Sequence, residues 1–357
     1  MEKIKYGMVG FGGIAENRVA KEGFACDKSR FQPLDHAELV AVCDMNPARQ
    51  PAAEALGLKW YSSLDEMLKD EEIKAVYIAT NNLSHIPLAL QILAKGKHVI
   101  SEKPIATSSV DAQKAIDLSK KMNLSYTVDH MMVYNAWNQE AAKLVQGGRL
   151  GVVNDSCFHM EFAYGYDPAE AATWRCSRVE EMGGPIGDVA SHCFYLAEFV
   201  FGKKIVKLAA VYYPKIMDIK AEDGAYIKFF FEDGMQGSVK CAFSEKRGGL
   251  GGTLSNLGFE VYGDKAALRS YGTVFQLSGH SDEPIKMRLD LDAFQGDVEK
   301  ISPKTYKNIY QSLIDNHAHS ILTNKYLHGE DGKHNLVLCE AAHASASQQG
   351  KIIDIAD

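Results

Sequence analysis

Along the first third of the chain, apolar residues fall in short runs separated by longer amphipathic stretches. The runs at 4–10, 38–44, 74–80, 97–101 and 124–129 are continuous enough to be strands buried on both faces. The stretches at 14–22, 47–56, 85–94 and 108–122 read as helices. In the last of these, Val110, Ala115, Ile116, Leu118 and Met122 recur at close to 3.6 residues. Strand and helix in alternation predict an α/β fold, a parallel sheet doubly wound with helices on both faces.

After about residue 150 the pattern changes. Strand-like runs become longer and consecutive, at 152–164, 205–213, 224–231, 235–244, 258–262 and 266–271. Turn residues at Glu232-Asp233-Gly234 and Gly263-Asp264-Lys265 predict hairpins. An apolar-faced helix at 187–201 interrupts the strands; helices at 304–322 and 335–348 and a strand at 351–355 close the chain. The expectation is a first domain over 1–128 and an α+β domain over 129–357, the latter with a large, mostly antiparallel sheet. The terminal helices are free to pack back on the first domain. Phe229-Phe230-Phe231 is expected in the core or at a subunit interface, so a homo-oligomer, dimer or tetramer, through this sheet is anticipated. Gly248-Gly249-Leu250-Gly251-Gly252 reads as a plain flexible connection.

Composition narrows the function classes. A length of 357 residues suits two domains, and the 46% hydrophobic and 24% charged fractions are those of a globular protein. The net charge of −7 argues against a nucleic-acid partner. No run approaches the roughly 18 apolar residues of a membrane helix, and no secretory signal is visible at the start. Seven cysteines, odd in number and irregularly spaced, suit reduced thiols and hence a cytoplasmic location.

Candidate chemistry begins at Gly10-Phe11-Gly12-Gly13-Ile14-Ala15, between the first strand and first helix. It fits the G-x-G-x-x-G/A fingerprint of dinucleotide binding. Gly10 permits the tight turn, Gly12 leaves backbone open to a pyrophosphate, and Ala15 lets helix and strand approach. Asp44, ending the second strand, suits the adenosine ribose hydroxyls and repels a 2′-phosphate, which favours NAD over NADP. The gap from Gly12 to Asp44 exceeds the usual ~20 residues, which requires an insertion around 26–36. Arg49 is available as a partner for a 2′-phosphate. Thr80, Asn81 and Asn82 end the next strand on the ligand edge and can line the nicotinamide ribose; His85 either touches the cofactor or caps the following helix.

Val99-Ile100-Ser101-Glu102-Lys103-Pro104 carries a buried strand abruptly into a carboxylate, an ammonium and a proline. Charge at such an end is costly unless paired or used. Together with the glycine motif, this segment resembles the Gfo/Idh/MocA oxidoreductases (glucose–fructose oxidoreductase, inositol dehydrogenase and relatives), and the resemblance extends over essentially the whole chain. It implies a Rossmann first domain that binds NAD, with Glu102 and Lys103 at the cofactor and Lys103 reaching into the active site, often beside a cis peptide. Gly183-Gly184-Pro185-Ile186-Gly187-Asp188-Val189-Ala190-Ser191-His192 is similar to the family's glycine-rich turn into a helix bearing Asp-x-x-x-His. Residues four apart share a helix face, so Asp188 and His192 are expected to project together. Loss of a hydroxyl proton must accompany hydride removal from a secondary alcohol. His192 suits that acceptor role and Lys103 can polarise the oxygen, with Asp188 assisting. Tyr195 stands where the family commonly has an aspartate, Pro185 replaces a usual glycine, and the stretch 128–135 departs from its Arg-x-x-Pro.

On the substrate side, His130, Tyr164, Trp174 and Arg175 join Lys103, Asp188 and His192 as candidates, because aromatic faces stack on sugars and arginine grips hydroxyls or carboxylates. Arg178 is either a second anion contact or a surface ion pair. His317 and His319 lie on different helix faces, and no metal site is expected. The expected function is an NAD(H)-dependent dehydrogenase or reductase acting on a sugar, polyol or glycoside hydroxyl. The alternatives are a glycoside hydrolase that retains NAD and works by transient oxidation and elimination, and a non-catalytic NAD-sensing regulator.

Overall fold

The structure, a computed structural model, describes residues 3–245, 256–271, 287–294, 296–304 and 307–356. The glycine-rich segment 248–252 lies outside them. The chain divides into two compact units: Met1–Met131 with Lys307–Lys333, and Met132–Tyr306 with His334–Asp357.

The first unit is built on six parallel strands: β1 (Ile4–Val9), β2 (Ala37–Cys43), β3 (Lys59–Tyr61), β4 (Ala75–Ile78), β5 (His98–Ser101) and β6 (Tyr126–Val128). Their spatial order is β3-β2-β1-β4-β5-β6. The order reverses at β1, flanked by β2 and β4, and such a switch point is where an open α/β sheet binds ligands beyond its carboxyl ends. β4 and β5 are entirely buried, as their unbroken apolar runs predict. β3 has only three residues and no apolar run of its own, so its sequence does not reveal it.

The residues between the first helical segment, Ala15–Gly23, and β2 form the expected insertion. That loop is seated on the helix Ile309–Leu322. The Gln311 amide donates to the Gln32 carbonyl at 2.9 Å, Asp315 accepts the backbone N–H of His36 at 2.7 Å, and Lys307 pairs with Asp35. A chain segment some 280 residues away in sequence thus holds the loop between the glycine motif and Asp44.

The second unit carries nine strands: β7 (Val153–Glu161), β8 (Ile205–Tyr212), β9 (Gly224–Phe231), β10 (Gln236–Ala242), β11 (Asn256–Gly263), β12 (Ala266–Tyr271), β13 (Arg288–Ala293), β14 (Val298–Ile301) and β15 (Ile353–Asp354). The order is β14-β13-β12-β11-β7-β10-β9-β8-β15. All pairings are antiparallel except β7 with β10. Alternation sorts the two faces. Phe158, Phe229, Phe231 and Phe259 are buried and interlock, with Phe158 and Phe259 stacked at 5.0 Å, and Phe201 of the helix Ser191–Phe201 packs on Phe231 at 5.1 Å. The opposite face bears Tyr226, Lys228, Lys240 and Tyr262; Tyr226 is 55% exposed. Of the Phe229-Phe230-Phe231 run, the first and third are core. No helix among the described residues is long and apolar enough to cross a membrane.

Candidate active site

In the first unit the glycine loop lies at the sheet's switch point. Gly10 has φ +87°, and a Cβ there would lie 2.5 Å from the Ala79 carbonyl oxygen, so the turn beside β4 admits only glycine. Around Gly12 and Gly13 the space a side chain would fill is open, as backbone that must meet a pyrophosphate requires. Phe11 is buried and Ile14 half exposed.

Asp44 sits half-buried at the end of β2. One of its oxygens accepts the Phe11 N–H at 2.6 Å and the other the Asn46 N–H at 2.8 Å. The helix cap here is Asn46, which accepts from the Ala48 N–H, so Asp44 is not spent on that task. Arg49 donates through Nε to the Phe11 carbonyl at 2.7 Å and pairs with Glu16, so its guanidinium is already engaged. The charges of Lys21 and Arg49 hold the Glu16 carboxyl below the usual range: the hydrogen bond from Lys21 leads, burial opposes it, and Arg49 adds to it.

The loop after β4 is internally tied: Ser84 donates through its hydroxyl to Thr80 Oγ1 at 2.7 Å and through its backbone N–H to Asn81 Oδ1 at 3.1 Å, while Asn82 is buried. His85 is fully buried, with Nδ1 2.8 Å from the Pro104 carbonyl and Nε2 3.3 Å from that of Thr80. It braces the β4 loop against the β5 loop that carries Lys103.

Lys103 follows β5 on the same sheet edge, and the Lys103–Pro104 peptide is cis. Behind it lies a group that sequence inspection overlooks. The Tyr77 hydroxyl sits between two carboxyls, 3.0 Å from Glu102 Oε1 and in close contact with Asp129 Oδ2. Tyr77 and Asp129 are fully buried. Burial first, then the Glu102 charge, pushes the Asp129 carboxyl well above the usual carboxylate range, and burial likewise raises the Tyr77 phenol. The Tyr77 hydroxyl thus faces both carboxyls as a donor, joining Asp129 to Glu102 beside Lys103. His130, also buried, faces Asp331 at 3.2 Å.

In the second unit, the glycine-rich turn is tightly enclosed. Gly184 has φ +94°, and a Cβ there would lie 2.3 Å from a Glu222 carboxylate oxygen; Glu222 also accepts the Ile186 N–H. The helix that follows starts with a π-wound turn, Ile186–Ala190, before continuing as an α-helix over Ser191–Phe201. This changes the geometry behind the four-residue spacing of Asp188 and His192, since a wider turn rotates the two differently from an α-helix. Both are buried, and each has its own partner. Asp188 accepts from Arg175 Nε at 3.1 Å, and His192 Nδ1 lies 2.7 Å from the Tyr195 hydroxyl. Tyr195 therefore supplies the imidazole contact for which a carboxylate is the more common choice.

Arg175 gathers two of the predicted residues. Its guanidinium stacks over the Trp174 ring at 4.7 Å and pairs with Asp188, and the Asp188 charge, outweighing burial, strengthens its hold on its proton. Tyr164 reaches Thr173 at 3.2 Å and packs on Phe243. Arg178 is an exposed ion pair with the buried Glu181.

Residues 4–130 match the family described as "Oxidoreductase family, NAD-binding Rossmann fold", and residues 138–269 match the "GFO/IDH/MocA C-terminal domain". A 1,5-anhydro-D-fructose reductase from Ensifer adhaerens is 27% identical over 212 residues, covering 59% of this chain and 60% of that protein. Among solved structures, an aldose-aldose oxidoreductase from Caulobacter crescentus complexed with glycerol superposes with a TM-score of 0.82 at 22% identity, over 99% of both chains. A levoglucosan dehydrogenase in complex with NADH and levoglucosan gives 0.81 at 19% identity over the full length of both. At these identities the structural likeness is one of fold.

Proposed function

The chain belongs to the GFO/IDH/MocA oxidoreductase family, and from that premise we propose that it is an NAD(H)-dependent oxidoreductase acting on a secondary alcohol of a sugar, polyol or glycoside. The observation that carries the reading is Lys103, an ammonium set at the carboxyl end of β5 on the same sheet edge as the glycine loop, with the Glu102–Tyr77–Asp129 group behind it.

The residues at that edge fit NAD. The loop from Gly10 through Phe11, Gly12 and Gly13 to Ile14 would take the pyrophosphate, Asp44 the adenosine ribose, and Thr80, Asn81 and Asn82 the nicotinamide side. Arg49 is engaged by Glu16 and the Phe11 carbonyl rather than held for a 2′-phosphate, which supports NAD over NADP. NAD, when bound, supplies the nicotinamide C4 that accepts or returns the hydride. Lys103 orients and polarises the reacting hydroxyl. His192 takes the hydroxyl proton in oxidation and returns it in reduction. The Tyr195 oxygen can accept from Nδ1–H when the ring becomes imidazolium, so Nε2 is the nitrogen assigned to the substrate. Arg175, oriented by Asp188 and Trp174, binds a neighbouring hydroxyl or carboxylate, and Asp188, already paired with Arg175, acts as an orienting group.

The relatives' substrates support a carbohydrate class: an anhydrofructose for one and levoglucosan for another. The exposed tyrosines of the nine-stranded sheet support self-association through that face, and seven cysteines that form no disulfide suit a reducing cytoplasm. The test is a panel of sugars, polyols and sugar acids with NAD, followed by absorbance of the reduced cofactor. Substrate-dependent net accumulation of NADH is the expected result. Glycoside cleavage without accumulation would overturn the reading in favour of an NAD-retaining hydrolase, and no response from any substrate class would count against an enzyme of this type.

A further inference from the structure

On the face of the nine-stranded sheet opposite its phenylalanine core, Cys157, His159 and Glu161 stand at alternate positions of β7 and therefore point the same way, with His159 and Glu161 buried. Cys157 is paired in register with Glu260 of β11, and His159 is paired with Gly258. The glycine opposite His159 leaves that side of the imidazole without a cross-strand side chain, and Glu260 reaches into the space, 2.8 Å from Nε2. On the other side Nδ1 faces Glu161 at 3.4 Å, and Glu161 is itself held by the Tyr213 hydroxyl at 2.9 Å. One potential ligand atom from each of Cys157, His159 and Glu260 lies within 4.8 Å of the other two.

We propose that Cys157, His159 and Glu260 form a binding site for a divalent metal ion of the zinc type, with Glu161 as the outer carboxylate that orients the histidine. Thiolate, imidazole and carboxylate are the three side-chain ligands zinc accepts, and three protein ligands leave a fourth position for water or another donor. A ligating histidine almost always gives its second N–H to a carboxylate or carbonyl, which is the relation of His159 Nδ1 to Glu161. The ligands sit on two hydrogen-bonded strands, so little reorganisation is needed to bring them together. On binding, bonds form from the ion to Cys157 Sγ, His159 Nε2 and a Glu260 oxygen, and any proton carried by these ligand atoms leaves to solvent. No oxidation is involved. This proposal is independent of the dehydrogenase reading, since it draws on none of the residues assigned there.

The test uses the full chain, freed of any affinity tag and stripped by chelator, then titrated with Zn²⁺ in competition with a chromophoric chelator, and with Co²⁺ followed in the near-ultraviolet and visible. Expected are one equivalent bound per chain and a thiolate-to-cobalt charge-transfer band. Cys157→Ser should abolish the band and weaken Zn²⁺ at least tenfold, and Glu161→Gln should weaken it about 10- to 100-fold. Absence of stoichiometric binding to the wild type, or a band that persists in Cys157→Ser, overturns the proposal. Should the variants fold poorly, the wild-type stoichiometry and cobalt spectrum decide alone.

Discussion

Replacing Tyr195 by phenylalanine is the sharpest perturbation of the proton-handling group. The ring stays, together with its edge-on packing against His192 at 5.5 Å and 73°, and only the hydroxyl 2.7 Å from Nδ1 is lost. His192 and Tyr195 are 4% and 5% exposed, so the contact is made away from bulk water. Taking one partner from a buried polar group costs about 1–3 kcal/mol. Where that cost falls on the imidazolium formed as His192 accepts the hydroxyl proton, it corresponds to a loss of about 5- to 150-fold in kcat, at ~1.4 kcal/mol per tenfold. The assay is the initial rate of sugar-dependent NADH formation over a range of pH, with NAD affinity measured separately by fluorescence. The expected result is a reduced kcat with NAD affinity retained. Tyr195→Asp should recover turnover and move the acid limb of the profile to higher pH, because a carboxylate at Nδ1 favours the imidazolium. Wild-type kcat in Tyr195→Phe, with no change in the pH profile of Tyr195→Asp, would refute the assignment of His192 as a base positioned through Nδ1.

Other outcomes follow from the same structure. Asp44→Ala should weaken NAD much more than NADP in equilibrium binding, because it removes the ribose acceptor and the charge that opposes a 2′-phosphate; equal losses would remove that role. His98 and His317 of the first unit are buried and neutral, with pKa values pushed down by burial to about 4 and about 3. Their contribution to stability is complete above the unfolded value near 6.5 and is lost as pH falls toward those folded values, since the unfolded chain binds the protons the folded one refuses. Stability measured by urea unfolding should therefore drop between pH 6.5 and 4, by about 1.4 kcal/mol per pH unit for each histidine; a flat profile there contradicts the burial argument.

Much of the first unit was legible because its signals are local. The glycine motif is six consecutive residues between a strand and a helix, and Lys103 is conspicuous as charge placed directly after a buried strand. What stayed hidden depends on register and distance. Tyr77, Glu102 and Asp129 meet only because β4, β5 and β6 lie side by side, and no spacing in the sequence predicts that their ends converge. His159 and Glu260 are 101 residues apart and come together through the pairing of β7 with β11. The π-wound turn at Ile186–Ala190 defeats a helical-wheel argument, since the wheel presumes one pitch throughout. The edge strands β3 and β14, and β13 beside the latter, are short or lack a continuous apolar run, so burial leaves little trace in them. Tyr195 stands out in the sequence as an unusual residue, but its contact with His192 arises only in the folded chain.

The central claim is that Lys103 acts on the substrate hydroxyl without holding the cofactor in place. The most direct measurement is a single-turnover comparison of wild type and Lys103→Ala at saturating NAD, using the best sugar from the panel and a separate titration of NAD binding. The account predicts a burst of NADH in the wild type, its loss by several orders of magnitude in Lys103→Ala, and nearly equal NAD affinity in the two. A variant that reduces NAD at the wild-type rate would contradict it.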